Sequence, residues 1–474
     1  RLFRPAPKAR FRIDTSSGID WFSGELEIIG ISEEEKEKLL RAYRENQSFA
    51  RLSNGQWVHL RSSKLFRKLE ALSELGLKPD SDIQLRKGHL IALDNELGEG
   101  LQVHQRQQEL LRSSERTVPS IPSPGLKANP RSYQVEGARY LGNLYRLGVG
   151  GILGDEMGLG KTLQALIFIQ ALQRSRSQHP GPVLVVAPVS AVSVWHSEAG
   201  KFCPDLPVTV WHGPERKGEL PDRGILITTY SLLHRDLKRL QEKEYSCIFL
   251  DEAQNVRNAG TKAARALREL MARSVFCLTG TPLENRLLDY WALMDLSVPG
   301  LLGTSQSFKR RFDGNPDRIR RLREITAPFI LRRTKDQVAA ELPEKTEIAI
   351  PVSMNKEQAS IYESVRQEAR RYLEEAGKDY LMRMLPYLMQ LRRIACHPFL
   401  GKKDCDFSDS GKFEYLHELL REIRDGESAA LIFSQFTDVL DVAAMVADSL
   451  AMEYFRIDGS TSQKSRQRQV EQFQ

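Results

Sequence analysis

The sequence predicts an α/β protein whose main part is a parallel β-sheet flanked by helices. Strands buried on both faces of such a sheet are apolar throughout. Five short runs have this character: residues 151–153, 183–187, 225–229, 247–250 and 275–278. Helical stretches alternate with these runs, which is the βαβ pattern. A second alternating region begins near residue 410, with expected strands at 429–433 and 454–457 and an expected helix at 438–450.

The 474 residues allow several domains. Residues 1–115 are expected to form a small N-terminal accessory module of α and β elements, in which Ser32 and Glu35 form a helix capping box. Residues 116–130 are rich in Pro and Ser and are interpreted as a linker. The first lobe is assigned to 131–304, a helical inter-lobe region to 305–400, and the start of an incomplete second lobe to 401–474.

Composition excludes few functions. The formal net charge of +7 is compatible with a polyanionic partner, and equally with an ordinary enzyme. The five cysteines form no CxxC pair, which argues against a zinc site, although Cys396, His397 and Cys405 form a weak candidate. Their sparse use suggests a reducing compartment. No apolar run reaches the roughly 20 residues that span a membrane, and the first residues lack the apolar core of a secretory signal.

The strongest chemical motif is GILGDEMGLGKT at residues 151–162, where a strand leads into a glycine-rich turn and then a helix. Gly158 and Gly160 would let backbone N–H groups turn toward phosphates. Lys161 would reach the β- and γ-phosphates, and Thr162 would bind Mg²⁺. Asp155 stands where the usual phosphate loop has its first glycine.

A second motif, CIFLDEAQ, is a strand that ends in two acids. Asp251 could hold Mg²⁺ at the carboxyl end of the strand, and Glu252 could polarise an attacking water. A charged turn after a strand is the plain alternative. With a phosphate loop on the same chain, both halves of a metal site are present, and we expect Lys161, Thr162, Asp251 and Glu252 to meet around one magnesium–triphosphate.

Two further segments can be assigned roles in nucleotide binding once these motifs are considered with them. The amide of Gln134 can both donate to and accept from an adenine edge. Thr279, Gly280 and Thr281 follow another strand, so they are expected to sense the γ-phosphate and couple its loss to movement.

Taken in order, these segments resemble the Swi2/Snf2 family of superfamily 2 helicase-like ATPases, and a bacterial member in particular. The resemblance covers about residues 128–474 and includes PRSYQVEG, GDEMGLGKT, DEAQ, LTGTPLEN, FILRRTKDQV and LIFSQFTDVLD. Members of this family carry Asp at the position of Asp155, so that departure does not count against nucleotide binding. Residues 10–115 weakly resemble the region ahead of the motor in bacterial members.

The resemblance implies two RecA-like lobes that close on ATP and Mg²⁺ and move along double-stranded DNA. It assigns DNA contacts to a set of mostly hydroxyl side chains, which suit phosphate contacts without base preference. These residues are Ser190, Trp195, Thr228, Thr229, Ser434, Gln435, Ser460 and Thr461. Ser and Thr at turns are the ordinary alternative. The protein is expected to act as a monomer, away from membranes, in the nucleoid of a bacterium or the nucleus of a eukaryote.

The resemblance also implies a later segment with an arginine that reaches the γ-phosphate, and residues 1–474 do not contain it. We therefore expect these residues to bind ATP but to hydrolyse it slowly by themselves, because such an arginine contributes about 10³–10⁵ in rate. The alternatives are a strand-separating DNA or RNA helicase and an ATP-binding scaffold that does not hydrolyse efficiently.

Overall fold

The chain folds into two compact units, Arg1–Pro343 and Glu344–Gln474. The structure is a computed structural model. It describes residues 3–4, 7, 9–14, 21–45, 47–61, 64–77, 83–97, 101–103, 121, 125–174, 181–213, 216, 218–258, 260–280, 286–312, 316–338, 348–375, 380–400, 406–426 and 428–473.

The N-terminal part of the first unit is an α+β module with two small sheets, whose strand orders are β1-β5-β4 and β6-β3-β2-β7. Its strands are β1 (Phe3–Arg4), β2 (Ala9–Asp14), β3 (Trp21–Ile28), β4 (Phe49–Arg51), β5 (Trp57–His59), β6 (Ile83–Arg86) and β7 (Leu101–Val103). Its helices are Glu33–Arg44, Lys64–Glu74 and Lys87–Leu97. Ser32 and Glu35 form the predicted capping box at the start of the first helix.

A parallel sheet of seven strands dominates the rest of the first unit, with the order β10-β11-β9-β12-β13-β8-β14. The strands are β8 (Gly151–Leu153), β9 (Val183–Ala187), β10 (Val208–Val210), β11 (Ile225–Thr229), β12 (Cys247–Asp251), β13 (Val275–Leu278) and β14 (Ile330–Leu331). Residues of β8, β9 and β11 are all buried, as the continuous apolar runs predicted. This sheet confirms the predicted α/β class.

Helices flank this sheet, and the longer ones bury apolar side chains. They are Ser132–Leu147, Lys161–Arg174, Val189–Phe202, Tyr230–Leu233, Leu237–Leu240, Lys262–Arg268, Leu287–Ser297, Ser305–Phe312, Pro316–Thr326 and Lys335–Val338, with 3-10 turns at Ala253–Val256 and Ala327–Phe329. Phe168, Phe249 and Phe276 meet in the core with ring centroids 5.3–6.2 Å apart.

The N-terminal module packs directly on the larger α/β part of the first unit. A Cβ on Gly88 would lie 2.5 Å from Val298, so the module helix approaches the α/β part closely at that glycine. The buried His89 ring accepts a hydrogen bond at Nδ1 from Arg86 N–H (3.0 Å) and contacts the Gly300 carbonyl through Nε2 (3.1 Å). This arrangement requires the proton on Nε2. Arg321 forms an ion pair with Glu74 at 2.9 Å.

The second unit is helical in the described residues, with Lys356–Glu375, Tyr380–Cys396, Gly411–Asp425, Thr437–Ser449 and Gln463–Phe473 and a 3-10 turn at Phe407–Asp409. Helices Gly411–Asp425 and Thr437–Ser449 share an apolar core that includes Phe413, Leu420 and Val446. His397, part of the weak zinc candidate, bonds through Nε2 to the Asp406 carbonyl at 2.7 Å.

Three sequence predictions need correction. The segments 429–433 and 454–457 form no ladder among the described residues, and Leu431 and Phe433 are 69% and 88% exposed. A strand requires a partner for its backbone groups, and neither segment has one there. Strand β14 lies in the region that was expected to be only helical, so the first sheet extends past the predicted boundary at residue 304.

None of the helices within the described ranges is long and apolar enough to cross a membrane.

Candidate functional site

The predicted phosphate loop and the predicted acidic pair lie at the same edge of the seven-stranded sheet. Strand β13 lies between β8 and β12, and all three are parallel. Their carboxyl ends therefore meet at one edge, where open α/β sheets bind ligands. Residues 154–160 follow β8, Asp251 ends β12, and Thr279 follows β13.

The loop before helix Lys161–Arg174 turns at two glycines in the left-handed region, Gly158 at φ 90° and Gly160 at φ 71°. Residues that carry a side chain rarely adopt such backbone angles, which explains why both positions are glycine. Lys161 begins the helix and donates through Nζ to the carbonyls of Asp155 (2.8 Å) and Glu156 (3.3 Å). Phosphate oxygens could replace these carbonyls as acceptors.

The charges of both acids, Asp251 and Glu252, influence the pKa of Lys161. Burial lowers its pKa, while the charges of Glu252, Asp155 and Asp251 oppose that change. The pKa of Asp251 is raised, mainly by burial. A Cβ on Gly280 would lie 3.9 Å from Lys161 Nζ. The structure therefore brings Lys161, the two acids and the predicted coupling segment into one site.

Asp251 is held by three donors. Its Oδ2 accepts from Trp195 Nε1 at 2.8 Å, its Oδ1 accepts from Glu252 N–H at 3.0 Å, and its carbonyl accepts from the Tyr230 hydroxyl at 2.6 Å. Carboxylate oxygens retain further lone pairs in such an arrangement and suit the hard Mg²⁺ ion. Thr162 lies in the first turn of the helix that Lys161 begins.

Glu252 has a left-handed backbone, with φ 48° and ψ 55°. A non-glycine residue in this conformation stores about 1–3 kcal/mol, and such strain concentrates at functional sites. Asn255 stabilises it by donating to the Glu252 carbonyl from N–H (3.0 Å) and from Nδ2 (2.8 Å). The left-handed conformation of Glu252 turns the chain immediately after Asp251.

Gln254 joins the acidic pair to the predicted coupling segment. Its Nε2 donates to Glu252 Oε2 at 2.5 Å, and its Oε1 accepts from Thr279 Oγ1 at 3.1 Å. An amide can do both at once, because it carries a donor and an acceptor. Sequence reasoning did not assign Gln254 a role. Thr281 lies outside the described residues.

A buried network behind the phosphate loop was also missed. Asp155 is fully buried and accepts from Arg333 N–H (3.1 Å), Nε (3.1 Å) and Nη2 (2.6 Å), and from Gln164 Nε2 (3.0 Å). Arg333 also donates through Nη1 to the Tyr133 carbonyl at 2.6 Å. Asp155 therefore anchors the loop through the segment that follows β14.

The same segment forms backbone hydrogen bonds along the loop. Gly154 N–H donates to the Leu331 carbonyl at 2.7 Å, and Glu156 N–H donates to the Arg333 carbonyl at 3.0 Å. Lys335 N–H donates to Glu156 Oε2 at 2.8 Å. Because β14 spans only two residues, its contribution was hidden from periodicity arguments.

Gln134 contacts the glycine-rich loop. Its Oε1 accepts from Arg131 N–H at 3.0 Å, and its Nε2 lies 3.5 Å from the Leu159 carbonyl. A Cβ on Gly160 would lie 2.7 Å from Gln134 Nε2, so the amide and the glycine turn are in close contact.

The predicted DNA contacts in the first unit differ in exposure. Ser190 is exposed. Trp195, Thr228 and Thr229 are buried, which differs from the expected position of side chains that touch DNA. Thr228 donates to the Trp211 carbonyl at 3.1 Å, and the Thr229 and Ser231 hydroxyls are 3.1 Å apart. Buried hydroxyls satisfy backbone and neighbouring groups in this way.

The predicted DNA contacts in the second unit mostly form local hydrogen bonds within turns. Ser434 Oγ accepts from Phe436 N–H at 3.1 Å, and exposed Gln435 accepts from Arg392. Ser460 Oγ donates to Asp458 at 2.6 Å, and Thr461 Oγ1 accepts from Asp458 N–H at 3.0 Å. These bonds match the alternative reading as turn residues.

Three family models match the chain. The SNF2-related domain matches residues 133–400, the model described as bacterial SNF2 helicase associated matches 1–115, and the helicase conserved C-terminal domain matches 411–474. The chain belongs to the SNF2-related family. The predicted family is thereby confirmed.

The SNF2-related chain is similar to the putative ATP-dependent helicase/translocase YwqA of Bacillus subtilis, with 35% identity over 74% of this chain and 40% of YwqA. It is 33% identical to the human SWI/SNF-related matrix-associated actin-dependent regulator of chromatin subfamily A member 1, over 77% and 38% of the two chains. The chain thus spans about two fifths of these relatives.

A solved structure, the Sulfolobus solfataricus SWI2/SNF2 ATPase core in complex with dsDNA, is 34% identical over 76% of this SNF2-related chain and 78% of that chain, with a TM-score of 0.47.

Proposed function

We propose that the chain binds ATP with Mg²⁺ and hydrolyses it as the motor of a translocase that acts on double-stranded DNA and remodels protein–DNA complexes. The observation that carries the proposal is that Lys161, Asp251 and Glu252 lie at the same carboxyl edge of the parallel sheet, where the charges of both acids oppose the lowered pKa of Lys161. Family membership agrees with it.

Each residue of the grouping has a role in ATP hydrolysis. Lys161 binds the β- and γ-phosphates in place of the carbonyls it now contacts. Thr162 and Asp251 would hold Mg²⁺, which would neutralise phosphate charge. Glu252 accepts the proton of the attacking water. Gln134 reads the adenine edge, and the N–H groups near Gly158 and Gly160 face the phosphates.

Gln254 supports a coupling role for the segment that starts at Thr279. Since Gln254 bonds to both Glu252 and Thr279, a change at the γ-phosphate alters the β13 end as well. Gly280, close to Lys161, belongs to the same path. We include Thr281 in this role on the basis of its place in the motif.

Double-stranded DNA is proposed as the track because relatives that match this chain carry the names helicase/translocase and regulator of chromatin. Exposed Ser190, Gln435 and Ser460 can contact backbone phosphates. For Thr228 and Thr229 the proposal is limited to their backbone groups, because their hydroxyls are buried. We propose that a monomer carries out the reaction.

The test is ATP turnover measured in parallel with duplex DNA, single-stranded DNA, RNA and no nucleic acid. The proposal expects turnover that is slow, as the sequence predicts for residues 1–474, but measurable, with the largest stimulation by duplex DNA and a steep loss of that stimulation with salt. Stimulation by RNA or single strands alone, or ATP-driven strand displacement, would favour a strand-separating helicase. Tight ATP binding without turnover under any of these conditions would favour a scaffold.

A further inference from the structure

Asp251 is connected to two elements that reach the same edge of the sheet from other strands. Helix Val189–Phe202 follows β9 and supplies the Trp195 indole N–H to Oδ2. Tyr230 follows β11 directly and supplies its hydroxyl to the Asp251 carbonyl. The carboxylate and the backbone of one residue are thus held by two separate segments.

Trp195 is a rigid link. Its side chain is completely buried, and its ring packs against Phe249 of β12 with centroids 6.4 Å apart. Exposed Ser190 lies five residues earlier in the same helix, about 7.5 Å along its axis. A displacement of the exposed helix end would therefore move the indole and its hydrogen bond to Asp251.

Tyr230 provides the second link. The residue is partly buried, and its hydroxyl is 2.6 Å from the Asp251 carbonyl. Thr229, the last residue of β11, precedes Tyr230, so a movement of the turn after β11 would be passed to the backbone of Asp251.

We propose that Trp195 and Tyr230 are positioning residues through which DNA bound at this edge sets the geometry of the Asp251 carboxylate. This inference rests on the proposed function. Trp195 then acts from the interior, as its burial requires, and not as a DNA contact. An indole that only satisfied its own N–H in the core would have no effect on the response to DNA.

The chain contains matched controls for both links. Trp211 donates through Nε1 to Asp236 Oδ2 at 2.9 Å, which is the same kind of bond in the same unit. Tyr245 is buried and donates to the Leu240 carbonyl at 2.9 Å. The test variants are Trp195→Phe and Tyr230→Phe, and the controls are Trp211→Phe and Tyr245→Phe.

The affinity of each variant for a fluorescent ATP analogue with Mg²⁺ is measured with and without duplex DNA, together with ATP turnover. For each protein, we compare the ratio of the affinity with duplex DNA to the affinity without DNA, and the same ratio for turnover. For the unmodified chain we expect DNA to change affinity or turnover by about fivefold or more. Trp195→Phe and Tyr230→Phe should bring the ratio to within about twofold of one, and the controls should keep it.

A merely structural role would lower the affinity or turnover equally with and without DNA and leave the ratio unchanged. That result in folded Trp195→Phe and Tyr230→Phe would overturn the inference. Urea unfolding checks that each variant is folded. If Trp195→Phe does not fold, Tyr230→Phe decides, since it removes a single oxygen. If the unmodified chain responds to no DNA, the proposed function fails, and the inference fails with it.

Discussion

The buried pair between Asp155 and Arg333 should contribute strongly to the stability of the first unit. Asp155 is completely buried, and its carboxylate accepts three hydrogen bonds from Arg333. In Arg333→Met the backbone N–H and Gln164 still donate, but the carboxylate loses its counter-charge. Leaving a buried charge without its partner costs about 3–5 kcal/mol.

Tryptophan fluorescence offers a unit-specific assay, because all five tryptophans lie within residues 1–343. With a urea dependence of about 3 kcal/mol/M, the expected loss shifts the unfolding midpoint down by about 1–2 M. Arg174→Met is the control, because its 2.7 Å pair with Asp205 is exposed and exposed pairs contribute about 0–1 kcal/mol.

A double variant separates charge from packing. If the loss arises from the unpaired carboxylate, Asp155→Asn combined with Arg333→Met should be more stable than Arg333→Met alone, because the amide carries no charge. A midpoint for Arg333→Met equal to that of Arg174→Met, or a double variant less stable than the single one, would refute the reasoning.

Three further predictions concern the site and the N-terminal module. Lys161→Ala should lose ATP turnover and weaken binding of a fluorescent ATP analogue by about tenfold or more, since its charge-assisted bonds to phosphate disappear; exposed Lys238→Ala should change neither, and equal effects would reject the assignment. Glu252→Gln should keep analogue affinity but slow turnover by about 10²–10⁴-fold, because an amide accepts no proton; full turnover would remove Glu252 as the base, and exposed Glu242→Gln serves as the control. Burial lowers the pKa of His89 to about 4, so the unfolded chain takes up a proton first as pH falls below 6.5, and the free energy of unfolding should decrease by about 2 kcal/mol between pH 7.5 and pH 5. Fluorescence-monitored urea unfolding of His89→Gln should lack that part of the decrease, and an unchanged pH dependence would contradict it.

The sequence was sufficient wherever a signal is local. Strands β9 and β11 have the predicted bounds because every residue in them is buried, which leaves a continuous apolar run. The loop glycines and Asp251 were predicted for a similar reason, since turn chemistry and the end of a strand are both visible in a short window.

Features that depend on distant partners could not be predicted. Arg333 meets Asp155 across 178 residues of chain, and no pattern in either segment indicates the other. Trp195 was expected to contact DNA because the family resemblance implies that role, which requires an exposed side chain. Its burial follows from the tertiary position of its helix against β12. The 429–433 segment has a strand-like composition, but composition supplies no partner strand.

The close seating of the N-terminal module on the first lobe makes it a natural place for a reporter group. Helix Lys87–Leu97 approaches the lobe through Gly88, and Arg311 donates to carbonyls at the end of helix Lys64–Glu74. A dye attached to the exposed turn at Asn54 would therefore follow the orientation of the first lobe while leaving the nucleotide edge of its sheet unmodified.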